Sequence, residues 1–329
     1  MTERPTLRDR AGNAAFVGLM RLVQALPYPR RIALMGWLFA HLLAPLAGWR
    51  RRIRANLALA RPDLGPAEIR RLTRQIPDNA GRAMAETYSG AEFVAHIRRG
   101  STIGGPGMAT LDAAFAEGRP AVLAVAHFGN YDAMRAALTA RGWPVAGLYR
   151  PMNNPLFNRH YVAAIEAIST PLFARGRKGL AGMLKFLRNG GFLAIGFDQY
   201  VHGGTLLRFF GLPTATPLTP AELALRHQVP LVPVAAIRQP DGLNFHIRVG
   251  EPIPESDPET MMQAINDDLE QLIRAHMGQW FWVHRRWKNL AAPPGPDDGP
   301  EGDDSGFGLA SGPAAAPPET ISLAAPKRL

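Results

Sequence analysis

The stretch AVLAVAHFGNYDAM, residues 121–134, decides the predicted fold. Its first six residues are small or branched and apolar, which is typical of a short strand buried on both faces of a sheet. His127 follows directly, and a turn-prone Phe128-Gly129-Asn130 leads into a helical pattern at Asp132. Ligands of open α/β sheets bind beyond the carboxyl ends of the strands, where loops project side chains into a crevice. The stretch therefore predicts a functional histidine at such an edge.

His127 and Asp132 form a His-x4-acid pair, which has to be weighed against chance. With 9 His and 27 acids in 329 residues, roughly 0.7 such pairs are expected at random, and the sequence holds two. The second pair, His246 and Glu251, belongs to an alternating, half-solvated strand and is interpreted as structural. A strand-to-helix turn after His127 would bring Asp132 within hydrogen-bonding reach of the imidazole. The alternative is a satisfied histidine that caps a strand.

Strand and helix patterns alternate after residue 134. This alternation predicts an α/β fold with a mostly parallel central sheet covered by helices. Helices are also expected over Met108–Glu117 and Glu259–Met277. The remaining predicted strands are Val145–Tyr149, Phe192–Phe197, Leu231–Ile237 and Phe245–Val249, and the remaining predicted helices lie near 155–168, 177–189 and 218–228.

Two further strands end in polar residues. Arg150 follows one strand, and Asp198 and Gln199 follow another. Alone, each is more often a surface or turn residue than a ligand. Together they place cationic and hydrogen-bonding groups at the same sheet edge as His127.

Charge and composition limit the partners. The net charge is +10, but residues 291–329 carry six acids against two bases, so residues 1–290 carry +14. This surplus favours phosphorylated lipid, acidic protein, a membrane surface or nucleic acid. The chain has no cysteine, which excludes disulfides and thiol nucleophiles. Residues 291–329, rich in Pro, Gly, Ala and Asp, are predicted to be disordered.

The N-terminal region is apolar and flanked by arginine. Ala14–Leu26 is mostly apolar, and Ile32–Trp49 has no formal charge. The length of the second run leaves a transmembrane helix, an interfacial hairpin and a buried core helix as alternatives. Arginines at both ends favour an element lying on an anionic leaflet. A basic helical stretch follows to about Arg99, and Pro77 is among the prolines interpreted as breaks in it.

Two C-terminal features suggest contact with lipid. Gly204–Pro220 is interpreted as an apolar loop that lines a slot for an aliphatic chain, or alternatively covers the core. Gln279–Lys288 holds three tryptophans and three cations, a composition typical of interfaces with phosphate groups. Single-stranded nucleic acid would also suit this composition, but nothing else resembles a nucleic-acid module, so no nucleic-acid partner is expected.

Five segments occur here in the order seen in bacterial lipid A biosynthesis acyltransferases, within the lysophospholipid acyltransferase superfamily. The chain resembles that family over roughly residues 10–290. The family typically has Glu five residues after the histidine; Asp132 is the acid commoner in glycerolipid acyltransferases. The segments are His127-Phe128-Gly129-Asn130-Tyr131-Asp132, Tyr149-Arg150-Pro151, Asp198-Gln199, Phe209-Phe210-Gly211 and Trp282-x-His284-Arg285-Arg286-Trp287-Lys288.

The resemblance implies transfer of a fatty acyl group from acyl carrier protein to a hydroxyl of a lipid A precursor, at the cytoplasmic face of the inner membrane. His127 would be the general base and Asp132 would fix its tautomer, with direct attack on the thioester and no cofactor or metal. Arg150 or a backbone N–H would stabilise the oxyanion. The substrate-binding residues implied are Asn130, Arg150, Asp198, Gln199, Arg285, Arg286 and Lys288.

Three regions are expected: a helical, membrane-associating region (1–100), an α/β acyltransferase core (101–290) and the tail (291–329). Alternative acceptors are a lysophospholipid, an amino-acid lipid or a glycosylated phosphoinositide. A different class of function is a non-catalytic, peripheral membrane-binding protein. A serine hydrolase is disfavoured because no serine lies in a Gly-x-Ser-x-Gly elbow.

Overall fold

A computed structural model describes residues 5–288 and 290 of the chain. The tail predicted to be disordered lies outside the described residues. The helices are α1 (Leu7–Gln24), α2 (Tyr28–Leu38), α3 (Ala44–Leu46), α4 (Trp49–Ala60), α5 (Pro66–Thr87), α6 (Ala91–Gly100), α7 (Met108–Ala116), α8 (Tyr131–Ala140), α9 (Pro155–Glu166), α10 (Arg177–Arg188), α11 (Thr219–His227) and α12 (Pro258–Ala275), with a π-helical turn (Phe39–Leu43) and a 3₁₀ turn (Met277–Gln279).

The strands form one large sheet and one hairpin. The seven-stranded sheet has the order β1-β9-β8-β2-β5-β3-β4, and every neighbouring pair is parallel except β8 and β9. The histidine strand β2 is therefore central, between β8 and β5. The strands are β1 (Thr102–Gly104), β2 (Ala121–Gly129), β3 (Val145–Tyr149), β4 (Leu172–Ala174), β5 (Phe192–Gly196), β6 (Thr205–Phe209), β7 (Leu212–Thr216), β8 (Leu231–Arg238) and β9 (Phe245–Val249).

Both faces of the sheet are covered by helices. Alternate residues of β2 enter two hydrophobic cores, with Val122 and Ala124 in one and Ala121 and Leu123 in the other. The first core also takes side chains from α4, α11 and α12, and the second from α1, α2 and α8. The N-terminal helices thus share their cores with the sheet. The α/β class with a mostly parallel sheet is the predicted one. It could be predicted because strands buried on both faces appear in the sequence as continuous apolar runs.

Two local expectations were wrong. The stretch Gly204–Pro220 is mainly the antiparallel hairpin β6–β7, not an apolar loop. Its two turn residues, Phe210 and Gly211, both have positive φ, as a tight type I′ turn requires. Pro77 lies inside α5 and is buried there, so it does not break that helix.

The N-terminal apolar segment is helical but bent. Among residues 5–288 and 290, no single helix has both the length and the apolar composition needed to cross a bilayer. That requirement is met only when two consecutive segments, Tyr28–Leu46 and Trp49–Ala60, are taken together. The angle of the bend between these two segments is 88°.

Candidate active site

The end of β2 is irregular, and this irregularity places His127. Val125 pairs with Val234 of β8, and Gly129 pairs with Ala236. Between these two pairs, β2 has three residues whereas β8 has only one. Such a bulge bends a strand and redirects a side chain. Gly129 has φ +57°, and a Cβ there would lie 1.9 Å from the Ala236 carbonyl oxygen. Only glycine therefore allows β2 to continue beside β8 after the histidine.

Asp198, at the end of the neighbouring strand β5, is the hydrogen-bond partner of the His127 imidazole. The Nδ1 atom of His127 lies 2.8 Å from Oδ1 of Asp198, and the His127 backbone N–H donates to Oδ2 at 2.9 Å. The indole N–H of Trp280 donates to the same Oδ2 at 2.9 Å. Asp198 is fully buried, whereas the His127 side chain is 26% exposed. A buried carboxylate thus orients an imidazole that still reaches the surface.

The two groups shift each other's pKa in opposite directions. Burial acts to lower the pKa of His127, but the charge and hydrogen bond of Asp198 outweigh it, so the pKa lies above the usual 6.5. Burial acts to raise the pKa of Asp198, but His127, His284 and the Trp280 N–H together hold it far below its usual range. Asp198 is therefore ionised, and its charge favours the protonated imidazole.

Asp132 does not orient the imidazole, contrary to the prediction from the His-x4-acid spacing. Its Oδ1 accepts from Arg135 at 2.7 Å, and its Oδ2 accepts from the Thr87 hydroxyl at 3.1 Å. Asp132 lies in the first turn of α8, where these partners occupy its carboxylate. Its negative charge still contributes to the raised pKa of His127, as the smallest of the causes.

Asn130 was expected to bind substrate, but it is a buried capping residue. Its side-chain oxygen accepts from the Asp132 backbone N–H at the start of α8, and its amide donates to Glu86 at 2.9 Å. Glu86 is fully buried and forms an ion pair with Arg238. Both ends of the Asn130 side chain are therefore used in holding α8 and α5 together.

Gln199 connects His127 to a second histidine, which sequence reasoning did not select. Its Nε2 atom lies 3.3 Å from Nε2 of His127 and 3.0 Å from Nε2 of His284. An amide donating to both rings leaves Nε2 as the unprotonated nitrogen of His127, with Nδ1 protonated toward Asp198. His284 lies in the Trp282–Lys288 motif quoted above, so the motif itself could have identified it.

Asn56 of α4 holds the segment that carries His284. Its amide donates to the carbonyls of Trp282 and His284 at 2.6 and 2.7 Å. The Phe281 backbone N–H donates to the His127 carbonyl at 3.0 Å. These bonds fix the C-terminal segment across the end of β2.

The tryptophan-rich segment is part of the core, so its predicted role as a lipid-facing surface is wrong. Trp280, Trp282 and Trp287 are at most 1% exposed and pack against Phe209 and Phe210 of the β6–β7 hairpin. Alternating tryptophans and cations do not by themselves show which side faces water. Here the hairpin supplies the aromatic partners.

Arg286, expected to bind substrate, is also fully buried. Its guanidinium donates to the carbonyls of Gln199 and Ala215 and to the Thr216 hydroxyl, at 2.9–3.0 Å. Burial lowers the pKa of Arg286 to about 10. The side chain therefore positions Gln199 from behind and is not accessible to a ligand.

The remaining predicted ligands lie nearer the surface. Arg150 is exposed directly after β3, which is next to β5 in the sheet, and so it lies at the same sheet edge as Asp198. Arg285 is half-buried and Lys288 is exposed. Substrate binding by these three residues stays a prediction.

Comparison with known proteins finds similar acyltransferases. The chain is 27% identical to the lipid A biosynthesis lauroyltransferase of Escherichia coli over 278 residues, 83% of this chain and 90% of that protein. It is 26% identical to the phosphatidylinositol mannoside acyltransferase of Mycobacterium tuberculosis over 185 residues. That alignment covers 55% of this chain and only 58% of the relative's length.

Among solved structures, the 1-acyl-sn-glycerophosphate acyltransferase PlsC of Thermotoga maritima covers 77% of this chain and 99% of its own, at 12% identity and a TM-score of 0.36. The family model described as bacterial lipid A biosynthesis acyltransferase matches residues 6–289. That match includes the histidine strand, its buried carboxylate and the segment that carries His284. The chain belongs to the bacterial lipid A biosynthesis acyltransferase family.

Proposed function

We propose that this chain transfers a fatty acyl group from a thioester donor to a hydroxyl of a lipid A precursor. The observation that carries the proposal is the hydrogen bond between Nδ1 of His127 and the buried Asp198, which leaves Nε2 unprotonated. An imidazole held in this way is suited to act as a general base toward an alcohol. Membership of a lipid A acyltransferase family supports the choice of alcohol.

In each turnover, His127 takes one proton from the acceptor hydroxyl and gives one proton to the leaving thiolate. Nε2 of His127 removes the proton of the acceptor hydroxyl as its oxygen attacks the thioester carbonyl, and the C–O bond forms. Collapse of the tetrahedral intermediate breaks the C–S bond, and the imidazolium returns the proton to the leaving thiolate. Asp198 stabilises the imidazolium throughout. Arg150, at the same sheet edge, is our candidate for stabilising the oxyanion.

Acyl carrier protein is the proposed donor, and the cytoplasmic face of the inner membrane is the proposed location. Residues 1–290 carry a net charge of +14, which would speed encounter with an acidic carrier protein and with a phosphorylated glycolipid. Arg285 and Lys288 are proposed to hold head-group phosphate, because arginine and lysine pair with phosphate oxygens.

A phosphatidylinositol mannoside is the second candidate acceptor. It is favoured by the similarity to the Mycobacterium tuberculosis acyltransferase named for that lipid. The chemistry at His127 would be unchanged, because both acceptors present a hydroxyl on a phosphorylated glycolipid. The difference would lie in the groups that bind the acceptor.

An in vitro transfer assay tests the proposal. The purified chain is mixed with acyl carrier protein thioesters of several chain lengths and with a lipid A precursor, a phosphatidylinositol mannoside or a lysophospholipid, and products are weighed by mass spectrometry. We expect acylation of the lipid A precursor, and a fall of about 10³-fold for His127→Ala. Preferential acylation of another lipid would overturn the choice of acceptor. No thioester loss with any acceptor would favour the non-catalytic membrane-binding alternative.

A further inference from the structure

A surface cavity of about 660 Å³ lies between the π-helical turn and α5. His41 of the turn and Arg70, Arg71 and Arg74 of α5 line it. The acid on its wall, Asp78, forms an ion pair with Arg82 at 2.6 Å. The cavity is therefore basic.

Two of the arginines differ from the third in their contacts with the described part of the chain. Arg71 forms an ion pair with Glu68. The guanidinium groups of Arg70 and Arg74, by contrast, make no hydrogen bond or ion pair with any residue that the structure describes. These two residues are four apart on one helix, so their side chains lie on the same face. Two such arginines beside a cavity suit an anion with several acceptor oxygens, such as phosphate.

The π-helical turn shapes the opposite wall. Pro45 has no N–H to give to the Ala40 carbonyl, and Arg50 donates to that oxygen instead, at 2.8 Å. His41 is hydrogen-bonded through Nδ1 to the Trp37 carbonyl at 3.0 Å and stacks on the Trp37 ring. Single π-helical turns occur frequently at functional sites. Here the turn brings His41 to the cavity.

Large apolar side chains are exposed on the same segment. Trp37 is 54% exposed, Leu42 49% and Leu46 78%. They belong to Tyr28–Leu46, the first half of the bent pair that has membrane-like composition without a spanning helix. Exposed Arg51 and Arg54 follow on α4. Apolar residues beside basic ones are typical of an element lying in the interface of an anionic bilayer.

We propose that this cavity binds the phosphate group of an anionic phospholipid, while Trp37, Leu42 and Leu46 enter the bilayer interface beside it. A bilayer explains both the unpaired arginines and the exposed apolar side chains. The amide of Asn79, also on α5, donates to the Gly129 carbonyl at the end of the histidine strand, at 3.0 Å. Lipid bound at α5 would therefore fix the active site relative to the membrane. This role of the bound lipid rests on the proposed acyl transfer to a membrane lipid.

Vesicle binding by the full chain tests the site. The probes are vesicles of phosphatidylcholine alone and of phosphatidylcholine mixed with phosphatidylglycerol. We expect Arg70→Gln with Arg74→Gln to weaken binding to the anionic vesicles about 20- to 30-fold. The matched control is Arg98→Gln with Arg99→Gln, two exposed arginines at the end of α6, which should weaken it by less than about threefold. Equal losses in the two double variants, or no loss in the first, would overturn the proposal.

Two other anions are outcomes of the same test. The unsubstituted chain and the Arg70/Arg74 double variant are titrated with inorganic phosphate and with acyl carrier protein. Loss of carrier-protein binding with vesicle binding retained would assign the cavity to the protein. Tight binding of free phosphate that vesicles do not displace would assign it to a soluble anion. Either result overturns the lipid assignment.

The apolar contact has its own readout. Lipids brominated near the head group should quench the fluorescence of Trp37, seen as the difference between the unsubstituted chain and Trp37→Phe. Absence of that difference would show that the segment does not enter the bilayer. His127→Ala should bind vesicles like the unsubstituted chain, so failure of the proposed chemistry and failure of the lipid site are separable.

Discussion

Two carboxylates are buried close to the histidine strand, and their partners differ in kind. Asp132, in the first turn of α8, accepts from a guanidinium and a hydroxyl. Asp198, at the end of β5, accepts from the His127 imidazole, the His127 backbone N–H and an indole N–H. Every oxygen of the two carboxylates accepts at least one hydrogen bond, so neither carboxylate can take the other's role without rearrangement. The carboxylate five residues from His127 supports the helix, and the one 71 residues away orients the base.

The largest difference between the two is expected in catalysis. Asp198→Asn keeps the shape of the side chain but removes the charge that stabilises the imidazolium and favours the correct tautomer. We expect the rate of acyl transfer to fall by about 10³- to 10⁴-fold. Steady-state kinetics with acyl carrier protein thioester measure this. A rate within tenfold of the unsubstituted chain would show that Asp198 is only structural.

The next largest effect concerns stability. Asp132→Asn leaves the buried guanidinium of Arg135 without its ionised partner, and both side chains are at most 5% exposed. We expect the free energy of unfolding in urea to fall by about 3–5 kcal/mol. Asp112→Asn is the matched control, because its pair with Arg141 is exposed and should contribute less than about 1 kcal/mol.

The transfer rate of the folded Asp132→Asn chain also tests the difference between the two carboxylates. Its transfer rate should fall much less than that of Asp198→Asn, because the Nδ1 hydrogen bond to Asp198 is retained. A loss as large as that of Asp198→Asn in a well-folded chain would show that the acid of the His-x4-acid motif acts directly on the imidazole.

A smaller effect is expected at Gln199. Its amide lies between Nε2 of His127 and Nε2 of His284, and removing one such hydrogen bond costs about 1 kcal/mol. We expect Gln199→Ala to lower the transfer rate about fivefold, with little change in stability. A combined His284→Ala variant should then add little, because the two residues act through the same contact. A fully additive loss would show that His284 acts independently.

The pH dependence of the rate follows from the raised pKa of His127. The base must be neutral, so kcat/KM should rise with pH and level off above the pKa of His127, which lies above 6.5. Removing the charge of Asp198 should move this rise to lower pH. A rise at unchanged pH in Asp198→Asn would show that another group controls the rate.

The fold could be predicted largely because its central strands are apolar on both faces. Val145–Tyr149 has the predicted bounds, and so has the alternating, half-solvated strand Phe245–Val249. The hairpin β6–β7 was missed because its turn, Phe210-Gly211, is apolar and Pro213 lies in a strand. Proline pairs there because that strand is at an edge.

The candidate site could be predicted only in part. The sheet edge that carries His127, Arg150, Asp198 and Gln199 follows from strand ends in the sequence. Which acid meets the imidazole depends on β2 and β5 being neighbours, and strand order is not a local property of the sequence. Burial likewise separates Arg286, inside the core, from Lys288 at the surface, although both stand in one motif.

The central claim is that Asp198, rather than Asp132, holds the imidazole of His127. The most direct measurement is the pKa of His127, followed by NMR of the histidine-labelled chain in its unsubstituted form and in the Asp198→Asn and Asp132→Asn variants. The structure predicts a pKa above 6.5 in the unsubstituted chain, a large fall in Asp198→Asn and a small fall in Asp132→Asn. A larger fall in Asp132→Asn than in Asp198→Asn would contradict it.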